Sequence, residues 1–291
     1  MAFTSGFVSI IGRPNTGKST LLNALLGEKI SIVSKRAQTT RNVIKGVKNI
    51  TEGQIVFLDT PGIHKGRGAL SSFMLREAMN SIKDVDALVL LVEAVPPARG
   101  DISIIKALKS TRAPVILCPN KVDTIRRDDI LPVIEGYKSL YPFHEILPIS
   151  ALKGQGLEML LSLLKAVLPE GPPFFPADMV TDQPERFVVS EMVREKVFRL
   201  TRQEIPYSTA VMVEEFKEGR KVISIRAVIN VERDSQKGII IGKQGAMLKK
   251  IGTQARGEIE RFLGAKVYLE LFVRVKKDWT GNERSLREFG Y

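Results

Sequence analysis

Cysteine is almost missing from this sequence. Cys118 is the only one, so no internal disulfide can form, and its place in the apolar run Val115 to Cys118 assigns it to packing. Two histidines add too few ligands for a structural zinc site. No stretch approaches the roughly twenty uninterrupted apolar residues of a membrane-spanning helix. Met1 leads at once into a strand expected from Phe7 to Gly12 rather than into a leader, so a cytosolic protein is expected. Internal repeats and low-complexity tracts are absent as well. What the chain has in excess is positive charge: 44 Lys and Arg against 32 Asp and Glu, a formal +12. Such a balance favours a polyanionic partner, nucleic acid or an anionic membrane surface. At 291 residues the chain is too long for one small domain and comfortable for two.

The seam lies where the sequence reads PEGPPFFPADMVTDQPE from Pro169, because five prolines in so short a span cannot continue a helix or serve a central strand. This predicts a first domain over 1–170, a proline-rich linker over 171–185 and a second domain over 186–291. In the first, apolar runs at Phe7 to Ile11, Ile55 to Leu58, Ala87 to Val92, Val115 to Cys118 and Ile146 to Ile149 alternate with segments of helical period. That alternation predicts an α/β fold with a mostly parallel sheet covered by helices. The last helix carries Leu157, Leu160, Leu161, Leu164 and Leu168 on one face. The second domain reads as a helix from about Ser190 to Gln203, a strand near Thr209 to Phe216 and a turn at Glu218-Gly219. After the turn come an alternating strand through Ile223, Ile225, Ala227, Ile229 and Val231, a short helix Ser235 to Ile241, a helix with Leu248, Ile251, Ala255, Ile259 and Phe262, and a strand Val267 to Val275. The order α, β, β, α, α, β predicts a smaller α+β domain.

Gly12-Arg13-Pro14-Asn15-Thr16-Gly17-Lys18-Ser19 fits the phosphate-loop pattern, after a buried strand and before a helix with Leu21, Leu22, Leu25 and Leu26. Glycines let backbone N–H groups wrap phosphates, and the helix amino terminus adds its positive dipole end. Lys18 is expected on the β and γ phosphates and the Ser19 hydroxyl on magnesium. Asn120-Lys121-Val122-Asp123 then selects the base: the Asp123 carboxylate can accept from the ring N–H and the exocyclic amine of guanine, a pairing adenine lacks. Asn120 would tie this loop to the phosphate loop, and the Lys121 stem would cover the base. Ser150-Ala151-Leu152 would offer backbone N–H to the guanine oxygen. In Asp59-Thr60-Pro61-Gly62, Asp59 can hold magnesium through water and the Gly62 N–H can sense the γ-phosphate. One of Thr39 and Thr40, within Gln38 to Arg41, would ligate magnesium only while that phosphate is present, an order-to-disorder switch.

The run Gly12 to Thr20, the Gln38 to Arg41 segment and the DTPG, NKVD and SAL strings resemble the translation-factor-related GTPases. With the ERDSQKGIIIGKQG stretch and the ending Trp279 to Tyr291, the whole chain resembles the Era family of bacterial ribosome-assembly GTPases. The resemblance implies a P-loop NTPase G domain followed by a type II KH domain, with GTP or GDP and magnesium as ligands and Thr20 joining the nucleotide contacts. It places an apolar residue, here Ile63, where many GTPases carry a catalytic glutamine. No catalytic side chain can be named, and slow intrinsic turnover is expected. Asn15 matches the asparagine with which related GTPases hold a potassium ion, although a turn residue is an equal reading.

In the second half, Gly242-Lys243-Gln244-Gly245 forms a GxxG turn between two helical stretches, the arrangement by which KH domains clamp single-stranded RNA. Lys237, Lys243, Lys249, Lys250 and Arg256 cluster around it, and positive charge recurs at Arg274, Lys276 and Lys277. Trp279 reads as a packing anchor. The family resemblance implies binding of 16S ribosomal RNA near its 3′ end and a role in 30S subunit assembly; DNA is not an expected partner. A second reading stays open, a membrane-associated GTP-dependent switch in which the basic surface meets anionic lipid at the inner membrane and the KH-like fold docks proteins. A tRNA-modifying GTPase lacks support, since no cysteine-bearing tail is present.

Overall fold

Strands form where β-branched and aliphatic residues run together, and helices where apolar residues recur every three or four positions. A computed structural model describes residues 2–34, 36, 39–63, 68–202 and 204–291. Gln38 and Gln203, the latter the expected end of a helix, lie outside the described residues. Along the chain run β1 (Thr4–Ile11), α1 (Lys18–Leu26), β2 (Ile44–Ile50), β3 (Gly53–Asp59), α2 (Ala69–Asn80), β4 (Ala87–Glu93), α3 (Arg99–Leu108), β5 (Val115–Asn120), α4 (Ile130–Lys138), β6 (Glu145–Ile146) and α5 (Leu157–Val167). They are followed by α6 (Glu185–Leu200), β7 (Ala210–Glu218), β8 (Ile223–Val231), α7 (Asp234–Ile241), α8 (Ala246–Leu263), β9 (Val267–Val275) and α9 (Glu283–Glu288). Two compact units result. The first holds the described residues of 1–31, 40–66 and 73–182; the second holds those of 32–39, 67–72 and 183–291.

The first unit is built on a six-stranded sheet in the order β2-β3-β1-β4-β5-β6, with β2 antiparallel to β3 and every other pair parallel. Its central strands are apolar on both faces, as a sheet covered by helices requires: Ala87 to Val92 and Val115 to Cys118 are all buried. Leu157, Leu160, Leu164 and Leu168 of the last helical stretch are buried, while Leu161 is half-exposed. The expected strand Ile146 to Ile149 shortens to two residues, because Pro148 has no N–H to pair; Leu147 and Ile149 still donate to the carbonyls of Leu117 and Pro119. Residues 171–182 form neither helix nor strand but are strapped to this sheet. The buried Gln54 amide accepts from the N–H groups of Phe174 and Phe175 and donates to the Phe175 carbonyl, and Val47 N–H donates to Val180.

In the second unit β7 and β8 are antiparallel and β8 and β9 parallel, the chain crossing from β8 to β9 through α7 and α8. Its core joins Val189, Val193 and Val197 of α6 to Ile225, Ala227 and Ile229 of β8 and Ile251, Ala255 and Ile259 of α8. The helix starts at Glu185, five residues before the expected Ser190. Pro184 stands just ahead of it, where a missing N–H costs nothing. Trp279 is the expected anchor, wholly buried, its indole N–H on the Ser208 carbonyl and its ring against Phe289 and Tyr291. Among the described residues, no helix is long and apolar enough to cross a membrane.

Candidate functional site

The loop from Gly12 to Gly17 joins β1 to α1. A Cβ on Gly17, at φ 103, would come within 2.4 Å of the Asn120 amide nitrogen, so only glycine lets the phosphate loop and the base loop close on each other. Lys18 is buried, its Nζ donating to the carbonyls of Gly12 at 3.2 Å and Arg13 at 2.9 Å. Desolvation lowers its pKa to about 8, against the attraction of Asp59. Asn15 is exposed in a left-handed conformation at φ 67. Thr16 is buried with its hydroxyl on the Arg13 carbonyl, and Thr20 is half-buried on α1.

Asp59 closes β3 wholly buried, and hydroxyls from three distant segments converge on its Oδ2: Ser19 at 2.6 Å, Ser31 at 2.7 Å and Thr40 at 3.5 Å. Ser19 and Thr40 are themselves 2.8 Å apart. Asp59 Oδ1 is buried with no hydrogen-bond partner among the described residues. Burial raises the pKa of this carboxyl in spite of the surrounding hydroxyls and Lys18. A buried carboxylate with an orphaned oxygen beside two hydroxyls is the hard-oxygen donor set that suits magnesium, and a cation there would restore the ionised form. Of the threonine pair only Thr40 joins the cluster. The Thr39 hydroxyl points elsewhere in this structure, donating to the Arg36 carbonyl at 2.9 Å. Ser31 was not expected from the sequence, and no motif marks it.

After Gly62, the Ile63 N–H donates to the Gly12 carbonyl and its side chain packs on the core around Ile82, Leu88 and Leu90. An isoleucine turned into the core cannot orient a water.

The base loop is assembled by Asn120. This buried side chain donates to the Thr16 carbonyl at 2.8 Å and accepts from the Ala151 N–H at 2.9 Å, joining three motifs through one amide. Ala151 N–H is therefore engaged by Asn120; Leu152 N–H has no acceptor among the described residues, and the Leu152 side chain is exposed. Ser150 Oγ donates to Asp123 Oδ1 at 2.5 Å, fixing the carboxylate expected under guanine. Lys121, left-handed at φ 69, pairs with Glu93 at the end of β4, a partner the sequence did not disclose.

In the second unit α7 ends at Gly242, and the chain turns through Lys243, Gln244 and Gly245 into α8. A Cβ on Gly242, at φ 71, would meet the Met247 Cβ at 2.7 Å and its backbone N at 2.9 Å. Gln244 holds a left-handed conformation at φ 50, a strained state for a residue with a side chain. Lys243, Lys249, Lys250 and Arg256 are exposed and Lys237 half-buried, and among the described residues none of the five is paired with a carboxylate. Arg274 and Lys276, by contrast, are held by Glu214 and Glu288.

Residues 7–121 match the family described as 50S ribosome-binding GTPase, and residues 204–280 match the KH domain. The GTPase Era of Geobacter sp. (strain M21) is 57% identical over 291 residues, covering 99% of this chain and 98% of its own. The chain belongs to the Era family of GTPases. Two solved Era structures superpose on it with TM-score 0.97 at 44% identity, each covering 99% of both chains. One holds MgGDPNP and nucleotides 1506–1542 of 16S ribosomal RNA; the other, an Aquifex aeolicus Era variant, holds GDP and AlF4−. The expected architecture, a mostly parallel G domain followed by a KH domain, stands, and the protein is a GTPase that takes guanine nucleotide with magnesium.

Proposed function

We propose that this Era-family GTPase binds the 3′ end of 16S ribosomal RNA through its Gly242 to Gly245 loop and acts in the cytoplasm in assembly of the 30S subunit, its nucleotide state setting how long it stays on the particle. The observation that carries this reading is the loop itself: glycines at both ends, a strained Gln244 between them, and five nearby cations that, among the described residues, no carboxylate pairs with. Free cations and a backbone open to close approach are what a single-stranded sugar-phosphate chain needs. In this reading the GTP-binding part spans 1–170, the linker 171–185 and the RNA-binding part 186–291.

For hydrolysis, Lys18 sits at the head of α1 to meet the β and γ phosphates, and the loop N–H groups from Asn15 to Thr20 line the same cradle. Ser19, Thr40 and Asp59 would hold magnesium, which supplies charge neutralisation at the transferred phosphoryl group. Asp123, steadied by Ser150, selects guanine, with Lys121 over the base. Because Ile63 is packed into the core, the attacking water must be positioned by backbone groups or by a monovalent cation at the exposed Asn15, and turnover is slow. Turnover that ignores replacement of potassium by sodium would remove Asn15 from this role.

The test is a binding titration with an RNA of the 16S 3′ end. Lys243→Asp combined with Gln244→Asp abolishes RNA retention while leaving GTP affinity within about twofold, since two charge reversals oppose the electrostatic contact directly. Unchanged RNA binding by that variant, or equal retention of the native chain on anionic vesicles without RNA, overturns the reading.

A further inference from the structure

We infer that Ser31 is a positioning residue of the metal site, a fixed hydroxyl clamped by Asn23 that holds the Asp59 carboxylate where a divalent cation can use it. Three hydroxyls reach Asp59 Oδ2, but they differ in surroundings. Ser19 and Thr40 lie against each other at 2.8 Å and have the cation as an alternative partner. Ser31 is completely buried, and among the described residues its only side-chain bond is the one to Asp59. Its backbone is held from both sides by a single amide: Asn23 Oδ1 accepts from Ser31 N–H at 2.9 Å and from Ile30 N–H at 3.1 Å, while Asn23 Nδ2 donates to the Ser31 carbonyl at 2.7 Å. Asn23 stands one helical turn after Ser19 on α1, so clamp and metal ligand ride on the same helix face.

The physical consequence concerns Oδ2. A buried carboxylate oxygen without a donor carries a desolvation cost, and whichever hydroxyls turn to the cation can no longer serve it. Ser31 is the donor that, among the described residues, has no other acceptor. Partners that orient a metal ligand from behind typically govern affinity by roughly 10–100-fold.

This inference rests on the assignment of Ser19, Thr40 and Asp59 to magnesium, and the experiment separates the two. The full chain is loaded with a fluorescent GDP, and its release is followed across buffered magnesium concentrations for the native protein, Ser31→Ala and Ser31→Cys. Thermal melting in the absence of nucleotide checks that each variant folds. Ser31→Ala is expected to release nucleotide at the native rate without magnesium, within about twofold. The magnesium concentration that half-maximally slows release should rise about tenfold or more. Ser31→Cys, which keeps the size and a weak donor, falls between the two, and it carries the test if the alanine variant does not fold. An unchanged magnesium midpoint, or release accelerated equally with and without magnesium, overturns the role of Ser31. A native protein whose nucleotide release ignores magnesium overturns the metal assignment itself.

Discussion

Lys18 carries a cost that a bound phosphate removes. Its ammonium is buried with two carbonyls as partners and its pKa is lowered to about 8 by desolvation, so the folded protein without nucleotide holds a charge it would rather shed. Below pH 8 the folded and unfolded chains both keep that proton, and the cost is fully present. Between pH 8 and the ordinary value of 10.5 the unfolded chain holds a proton that the folded one has lost, so the Lys18 contribution to stability rises with pH across this window. Lys18→Met should therefore stabilise the nucleotide-free protein by about 1–3 kcal/mol at neutral pH while abolishing GTP binding. Denaturant unfolding of both proteins at pH 7 and pH 9 checks this, with the gain expected to shrink at the higher pH. At the base end, Asp123 accepts from Ser150 and offers its remaining lone pairs outward. Asp123→Asn is expected to weaken GTP at least about a hundredfold and to shift preference toward xanthine nucleotides. Competition between the two nucleotides for one labelled ligand measures the shift, and an unchanged preference would remove Asp123 from the base pocket.

Among the elements, α6 is the one whose sequence conceals most. Its apolar positions Val189, Val193 and Val197 repeat every fourth residue, yet Arg194, Glu195 and Lys196 are buried too. Arg194 forms two bonds to Glu191, and Lys196 reaches Glu258 of α8 at 2.5 Å. Breaking such a pair from one side leaves a buried charge unmatched. Arg194→Ala should cost about 3–5 kcal/mol, read as a fall in the denaturant midpoint, whereas truncating the exposed pair Arg287 and Glu283 should cost less than about 1 kcal/mol. The turn between α7 and α8 depends on backbone rather than charge. Gly242→Ala places a methyl 2.7 Å from Met247 Cβ and should reduce RNA affinity about tenfold with GTP affinity unchanged, measured by the same two titrations. Charge and shape are expected to separate at this loop: charge reversal of the cations should alter the salt dependence of RNA binding, and Gly242→Ala the closeness of the strand's approach.

For the whole molecule, two ligands on one chain are bound by reciprocity. If the GTP form prefers RNA by some factor, RNA must tighten GTP by the same factor. Titrating a non-hydrolysable GTP analogue with and without the 16S 3′-end RNA measures it, and a factor of one in both directions would mean that nucleotide state does not govern residence on RNA. The order of motifs, the parallel sheet, the α, β, β, α, α, β order of the second half and the GxxG turn were all readable from residue spacing. Each rests on contiguous residues: a phosphate loop, a base loop and a helix turn are recognised by backbone groups that neighbours in sequence supply. What spacing left open was settled by contacts between segments far apart in the chain. Thr39 and Thr40 are indistinguishable as letters, and only the approach of residue 40 to Ser19 and Asp59 separates them. Ser31, Glu93 and Gln54 carry no motif, because their hydrogen bonds to Asp59, Lys121 and the residues near Phe174, all 28 or more positions away, depend on how the sheet closes. The proline-rich stretch announced an absence of helix and strand, while its bonding to Gln54 and Val47 could come only from β3 and the edge strand β2 folded beside it. Sequence determined which chemistry this protein carries. Tertiary structure decided which side chains hold that chemistry in place, since a hydrogen bond acts over about 3 Å and local pattern says nothing about which distant groups come that close.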